Sequence, residues 1–178
     1  MKITTLATPD GDFTIIVSCG AVLASGWTTD IASLLALIHP ILRPDTGEMH
    51  RTGPGDAEVA AATDAVGAYY RGELDAPARI PVHQESGEFR THAWDVLRGV
   101  GPGDTVSYRE LAELSDRPAA IRAAAGACAM NAAALFVPCH RVLRSDGGLG
   151  GFRYGTEIKR SLLARESRQV QAPSIPGL

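Results

Sequence analysis

From Ala119 to Ala129 the chain offers only alanine and glycine apart from Ile121, Arg122 and Cys128. Alanine is the strongest helix former and Pro118 suits a first helical turn, so the stretch reads as a helix running through Met130. A helix with so little side-chain volume holds its place by pressing its backbone against a surface, either the protein interior or an external groove. With one charged side chain, Arg122, it cannot read base edges as a major-groove helix does with several Arg, Asn or Gln. On the helix alone, the interior is the preferred reading. Upstream, Ser107-Tyr108-Arg109-Glu110 is a capping box that starts a short helix through Leu114, and Asp116-Arg117-Pro118 breaks it. Two short helices across a tight turn are the outline of a helix-turn-helix.

The remainder divides by period. Ile3 to Ala7, Phe13 to Ser18 and Ala21 to Trp27 read as a β-meander, separated by Pro9-Asp10-Gly11 and Cys19-Gly20 turns. Asp30 caps a helix carrying Ile31, Leu34, Leu35 and Ile38, which stops at His39-Pro40. Residues 43–55 form a loop, a second helix runs from about Asp56 to Arg71, and Arg79 to Val82 return as an edge strand. After His83-Gln84-Glu85-Ser86 the pattern is helical, with Phe89, Ala93, Trp94, Leu97 and Val100 on one stripe. The expected organisation is an α/β N-terminal module over 1–82, a mostly α C-terminal module over 83–167, and a disordered tail over 168–178.

A hydrophobic content of 45% with 21% charged residues excludes a disordered or collagen-like chain. The formal net charge of -3 argues against nucleic acid only until the charges are located. Residues 1–88 carry 5 basic and 12 acidic side chains, whereas 89–178 carry 12 and 8; from Arg117 onward the count is 9 against 3. An acidic module is thus joined to one suited to an anion such as a phosphate backbone. Cys19, Cys128 and Cys139 are odd in number and lack C-x-x-C spacing, which points away from disulfides and metal. With no apolar run of about 18 residues and no leader pattern, the expected compartment is the cytosol, without membrane association.

Leu135-Phe136-Val137-Pro138-Cys139-His140-Arg141-Val142 sets a cysteine beside a potential base and a cation that favours its thiolate. The following Asp146 to Gly155 contains five glycines with Phe152 and Tyr154, as suits a loop that approaches a ligand closely. His39, His50, His83 and His92 read as ordinary surface or packed histidines, and Tyr69 and Tyr70 as core and boundary residues.

The Pro-Cys-His-Arg-Val run, with Ser107-Tyr108, Arg122 in the alanine helix, Asn131 and Glu166, resembles the O6-alkylguanine-DNA alkyltransferases in register over about residues 87–166. Residues 1–80 match only in general organisation and at Tyr69-Tyr70-Arg71-Gly72-Glu73. The resemblance implies an RNase H-like α/β N-terminal module and a winged helix-turn-helix-like C-terminal module that meets the minor groove of double-stranded DNA. It makes Cys139 the acceptor of an alkyl group from O6-alkylguanine, or O4-alkylthymine, once per molecule and without cofactor or metal. His140, oriented by Glu166, would remove the thiol proton through a water, and Asn131 would tie the helix to the active-site turn. Tyr108 would donate toward the guanine and help rotate the phosphate, while Arg122 would fill the space left by the flipped base. Ala120, Ala123 and Ala127 would face DNA. Cys139, Val142, Leu149, Phe152, Arg153 and Tyr154 would form the base pocket, with carbonyls of Cys139 and Val142 and the amide of Arg153 reading the base. A monomer, cooperative on DNA, is the expected state.

Phe152 stands where many members carry tyrosine, and Arg153-Tyr154 makes the loop bulkier than in members with small residues there. Bulky O6 adducts are therefore expected to be handled worse than methyl, which slow inactivation by O6-benzylguanine would register. Three rival readings stand beside this one: a lesion sensor that accepts no alkyl group, against which Cys139 argues directly, a helix-turn-helix regulator without catalysis, and a Cys-His hydrolase.

Overall fold

The computed structural model describes residues 1–43 and 49–170; residues 44–48, inside the expected loop, and 171–178, most of the expected tail, lie outside it. Strands β1 (Lys2–Thr8), β2 (Gly11–Ser18) and β3 (Ala21–Gly26) form the meander, and β4 (His50–Arg51) adds parallel to β1, giving the order β3-β2-β1-β4. Alternation along β2 sends Phe13, Ile15 and Val17 to one face and Ile16 to the other. Helix α1 (Ile31–Leu37), capped by the Asp30 side chain on Ser33 N–H, covers Ile3, Ile16 and Leu23. Helix α2 (Ala60–Arg71) lies with the opposite face, burying Ala62, Ala65, Val66 and Tyr69, and ends at Gly72 as its sequence requires.

The second half is built from α3 (Glu88–Arg98), β5 (Val106–Ser107), α4 (Tyr108–Leu114), α5 (Ile121–Ala129), β6 (Val142–Leu143) and α6 (Thr156–Val170), with β5 and β6 paired in parallel. The Ser107–Glu110 capping box forms as read. One buried cluster runs unbroken from Phe13, Trp27 and Tyr69 through Trp94, Leu97 and Leu111 to Phe136 and Leu162, so both halves share a core. Each such side chain contributes about 1.5–3 kcal/mol when fully buried.

Three expectations need correction. Ala76–Arg79 is a 3₁₀ turn, and the strand expected over Arg79 to Val82 shrinks to a single parallel bridge, Val22 with Val82. Pro81 has no N–H to give a ladder, although its carbonyl still accepts from Val22. Residues 168–170, expected in the tail, close α6, which continues to Val170. Ala127, expected on a DNA-facing surface, is fully buried, and its carbonyl accepts from Trp94 Nε1 at 2.9 Å. Ala124 and Ala127, three residues apart, form the inward stripe of α5, whereas Arg122 and Ala123 are exposed and Ala120 is partly so. The alanine helix therefore satisfies both readings: one face packs on α3 and the other lies open with a single arginine.

Candidate active site

Cys139 opens a 3₁₀ turn, Cys139–Arg141, and shows 8% of its surface to a cavity of about 360 Å³, the size of a small-molecule site. The walls come from Tyr108 on α4, from Ala125, Cys128 and Ala129 on α5, and from the Gly151–Tyr154 loop. The cysteine sulfur accepts from Asn131 Nδ2 at 3.2 Å, and the same amide nitrogen donates to the Val137 carbonyl at 2.8 Å. The orientation of that amide is fixed from its other end, since Asn131 Oδ1 accepts from Ala133 N–H and from Gln84 Nε2, each at 3.1 Å. Gln84 is a positioning group that no sequence pattern singled out.

Behind the cavity lies a buried charge network. Glu166 Oε1 accepts from His140 Nε2, Arg141 Nη2 and Tyr69 Oη, and Oε2 accepts from Arg141 Nε, all at 2.9–3.0 Å. Burial pushes the Glu166 carboxyl up, but the hydrogen bonds and charges of His140 and Arg141 outweigh it and hold the group at about 2. An ionised Glu166 obliges His140 to carry its proton on Nε2, which leaves Nδ1 with the lone pair. Nδ1 is buried and has no hydrogen-bond partner among the described residues. Burial lowers the His140 pKa against the pull of Glu166, so the ring is neutral near pH 7 and Nδ1 is a base. Burial also raises the Cys139 thiol, opposed by the Asn131 hydrogen bond and the Lys159 charge. The thiol thus stays protonated until a base takes its proton.

Of the residues expected around the base, Cys139, Phe152, Arg153 and Tyr154 line the cavity. Val142 and Leu149 do not: Val142 is fully buried, and both carbonyls accept from Lys159 Nζ, the first at 2.6 Å. The Cys139 carbonyl likewise accepts from Val142 N–H. Lys159, Leu162 and Glu166, spaced i, i+3, i+7, share the inward face of α6, a pattern visible in the sequence once α6 is drawn. Lys159 clamps the glycine loop through backbone oxygens of Val142, Leu149 and Gly151.

The outer wall depends on β3. Tyr154 Oη donates to the Ser25 carbonyl at 3.1 Å, and Trp27, Phe152 and Tyr154 pack on one another at tilted and edge-to-face angles with ring centroids 5.7–6.0 Å apart. The Tyr154 ring lies where a Cβ on Gly26 would be, only 2.0 Å from it. Arg153 reaches across the mouth to the Ala129 carbonyl. Tyr108 presents its hydroxyl to Gly150, where a Cβ would come within 3.0 Å, and burial keeps that hydroxyl protonated as a donor. This crowded wall leads us to expect that O6-benzylguanine inactivates the protein at least several-fold more slowly than it does the Tyr154→Gly variant; equal rates would refute this.

Outside the cavity, Arg90, Arg117 and Arg122 surround a shallow open depression between α3 and α5. Arg117 approaches Glu88 at 3.5 Å and lies over the Phe89 ring. Among the described residues no group of three or more His, Cys, Asp or Glu is placed to hold a metal ion, and no helix is long and apolar enough to cross a membrane.

Residues 88–168 match the model of the 6-O-methylguanine DNA methyltransferase, DNA binding domain. The chain is 38% identical over 129 residues to the methylated-DNA–protein-cysteine methyltransferase of Mycolicibacterium paratuberculosis, covering 71% of this chain and 78% of that one. It is 44% identical over 99 residues to the bifunctional transcriptional activator/DNA repair enzyme Ada of Escherichia coli, which is 56% of this chain but 28% of that protein. The chain thus spans about a quarter to a half of several curated relatives it matches. The crystal structure of Mycobacterium tuberculosis O6-methylguanine methyltransferase superposes with a TM-score of 0.77 at 25% identity, over 97% of this chain and 95% of that one. An α/β half bearing a helical half with this cysteine pocket, and a relative matched over most of its length, lead to one conclusion: the chain belongs to the O6-methylguanine-DNA methyltransferase family.

Proposed function

We propose that the protein repairs alkylated double-stranded DNA by moving the alkyl group of O6-methylguanine, and of O4-methylthymine, onto Cys139. The observation that carries this reading is the Cys139 sulfur at the cavity, held by Asn131, with a neutral His140 whose free Nδ1 is backed by an ionised Glu166. The proton of Cys139 passes through one bridging water to His140 Nδ1. The thiolate attacks the methyl carbon, the C–O6 bond breaks, and its electron pair goes to the guanine, which Tyr108 meets as a hydrogen-bond donor. The thioether product has no hydrolytic exit, so each molecule reacts once and needs no cofactor.

The target carbon lies inside the duplex, so the nucleotide is flipped into the cavity at a cost of a few kcal/mol. The open face of α5, with Ala120, Ala123 and Arg122, is read as lying in the minor groove. In this reading α4, α5 and the β5–β6 pair act as a winged helix-turn-helix and the meander with α2 as an RNase H-like layer. The protein works as a cytosolic monomer, cooperative on DNA. Phosphate contacts from the depression around Arg90, Arg117 and Arg122 make binding fall with salt.

The direct test is intact mass after incubation with duplex carrying O6-methylguanine: one added methyl, on Cys139, saturating at one per molecule. No gain, or turnover beyond one equivalent, overturns the proposal. Arg122→Ala is expected to slow transfer from duplex on the order of 10- to 100-fold, the kinetic worth of a flipping cost of one to a few kcal/mol. Reaction with the free base O6-methylguanine should be unchanged. A parallel loss on the free base would remove Arg122 from the flipping step.

A further inference from the structure

Tyr69 ends the buried stripe of α2, and packing alone does not account for its hydroxyl. The ring is fully buried; phenylalanine would fill the same space. The hydroxyl instead donates to Glu166 Oε1 at 3.0 Å, the oxygen that also accepts from His140 Nε2 at 2.9 Å. It comes from the N-terminal half, 97 residues away in sequence from the carboxylate it meets. Burial, then the Glu166 charge, push its pKa far up, so it remains a donor at every working pH.

We propose that Tyr69 is a positioning residue for proton removal from Cys139: its hydroxyl fixes the face that Glu166 turns to His140 and limits how strongly that carboxylate holds the imidazole proton. The inference rests on the alkyl-transfer reading. Each donor on Oε1 draws off part of the carboxylate's negative charge. Without the phenol, more of that charge acts on His140, and the imidazolium forms more readily. The charged and titratable groups facing this cluster are Glu166 and Lys159 from α6, Cys139 and Arg141 from the 3₁₀ turn, and Tyr70 beside Tyr69, itself covered by Arg165. His140 is the group placed to take the Cys139 proton, so its own protonation is what stops the reaction on the acid side.

The experiment measures the first-order rate of methyl transfer at saturating methylated duplex from about pH 5 to 9, by intact mass. Tyr69→Phe should still take one methyl, slowed by no more than about threefold near neutrality and by more at lower pH, with its acid limb moved up by about half to one pH unit. A second variant, Tyr69→3-fluorotyrosine, keeps the ring and strengthens the donor, so its acid limb should move down. Limbs that coincide with wild type in both variants, whatever the change in rate or melting temperature, leave Tyr69 a packing residue and overturn the inference. If Tyr69→Phe does not fold, an acid limb in the fluorotyrosine variant that is unmoved or raised overturns it alone. Failure of the wild-type protein to gain a methyl is a separate result, which removes the alkyl-transfer reading itself.

Discussion

Cys139→Ala is expected to take up no methyl from O6-methylguanine in duplex DNA while binding that duplex with affinity within a few-fold of wild type. The nucleophile is one atom at the wall of an existing cavity, and removing it leaves Asn131 Nδ2 with the Val137 carbonyl at 2.8 Å. The stability cost should be on the order of 1 kcal/mol, because the space left opens onto the cavity. Cys128 lines the same cavity but will not substitute: burial, which remains when Cys139 is gone, holds its thiol well above the ordinary range. Mass spectrometry and a binding isotherm on one preparation decide the matter. Retained methyl uptake would displace Cys139 as acceptor, and loss of binding as well as transfer would show that the variant reports folding instead of chemistry.

Glu166→Gln is expected to give the largest stability change. The carboxylate is fully buried and neutralises Arg141, which is itself 5% exposed. The amide leaves that guanidinium without its counter-charge at a cost of about 3–5 kcal/mol, or roughly 6–20 °C in melting temperature for a chain of this size. The acid dependence follows from the same group. Its carboxyl lies at about 2 when folded, below the ordinary value of 4.5 that it regains on unfolding, so its stabilisation is complete above about pH 4.5 and is lost as pH falls toward 2. Wild type and variant should therefore converge in stability across that window. Melts that remain equally far apart from pH 6 to pH 2 would deny Glu166 this role. Methyl transfer by the variant should also fall, because a neutral amide no longer holds the His140 proton on Nε2 by charge and no longer stabilises the imidazolium that forms when Nδ1 takes the Cys139 proton.

Sequence reasoning reached some parts of this site and missed others for identifiable reasons. The Ser107 cap, the Asp30 cap, the end of α2 at Gly72 and the meander are written in local patterns, and they form. Cys139, His140, Asn131 and Glu166, singled out by resemblance, form two hydrogen-bonded pairs, Asn131 with Cys139 and His140 with Glu166, which meet where Cys139 and His140 adjoin in the chain. Gln84 and Tyr69 were not legible as parts of this network. A helical stripe says that a tyrosine is buried, yet not that its hydroxyl meets a carboxylate 97 residues away. Val142 and Leu149 were placed in the pocket by position in the motif, whereas neither lines the cavity and the carbonyls of both accept from Lys159 Nζ. The strand expected over Arg79 to Val82 is cut short locally, by the 3₁₀ turn that ends at Arg79 and by Pro81, which has no N–H for a ladder, so only Val82 bridges to β3.

The contact between Gly26 and Tyr154 has a meaning for sequence variation. Because a Cβ at 26 and a tyrosyl ring at 154 compete for one volume, the two positions form an either/or pair across 128 residues of chain. A lineage that trims residue 154 to widen its pocket gains freedom to drift at 26. One that then acquires a side chain at 26 has closed the way back, so the order of substitutions would govern which adducts its descendants accommodate.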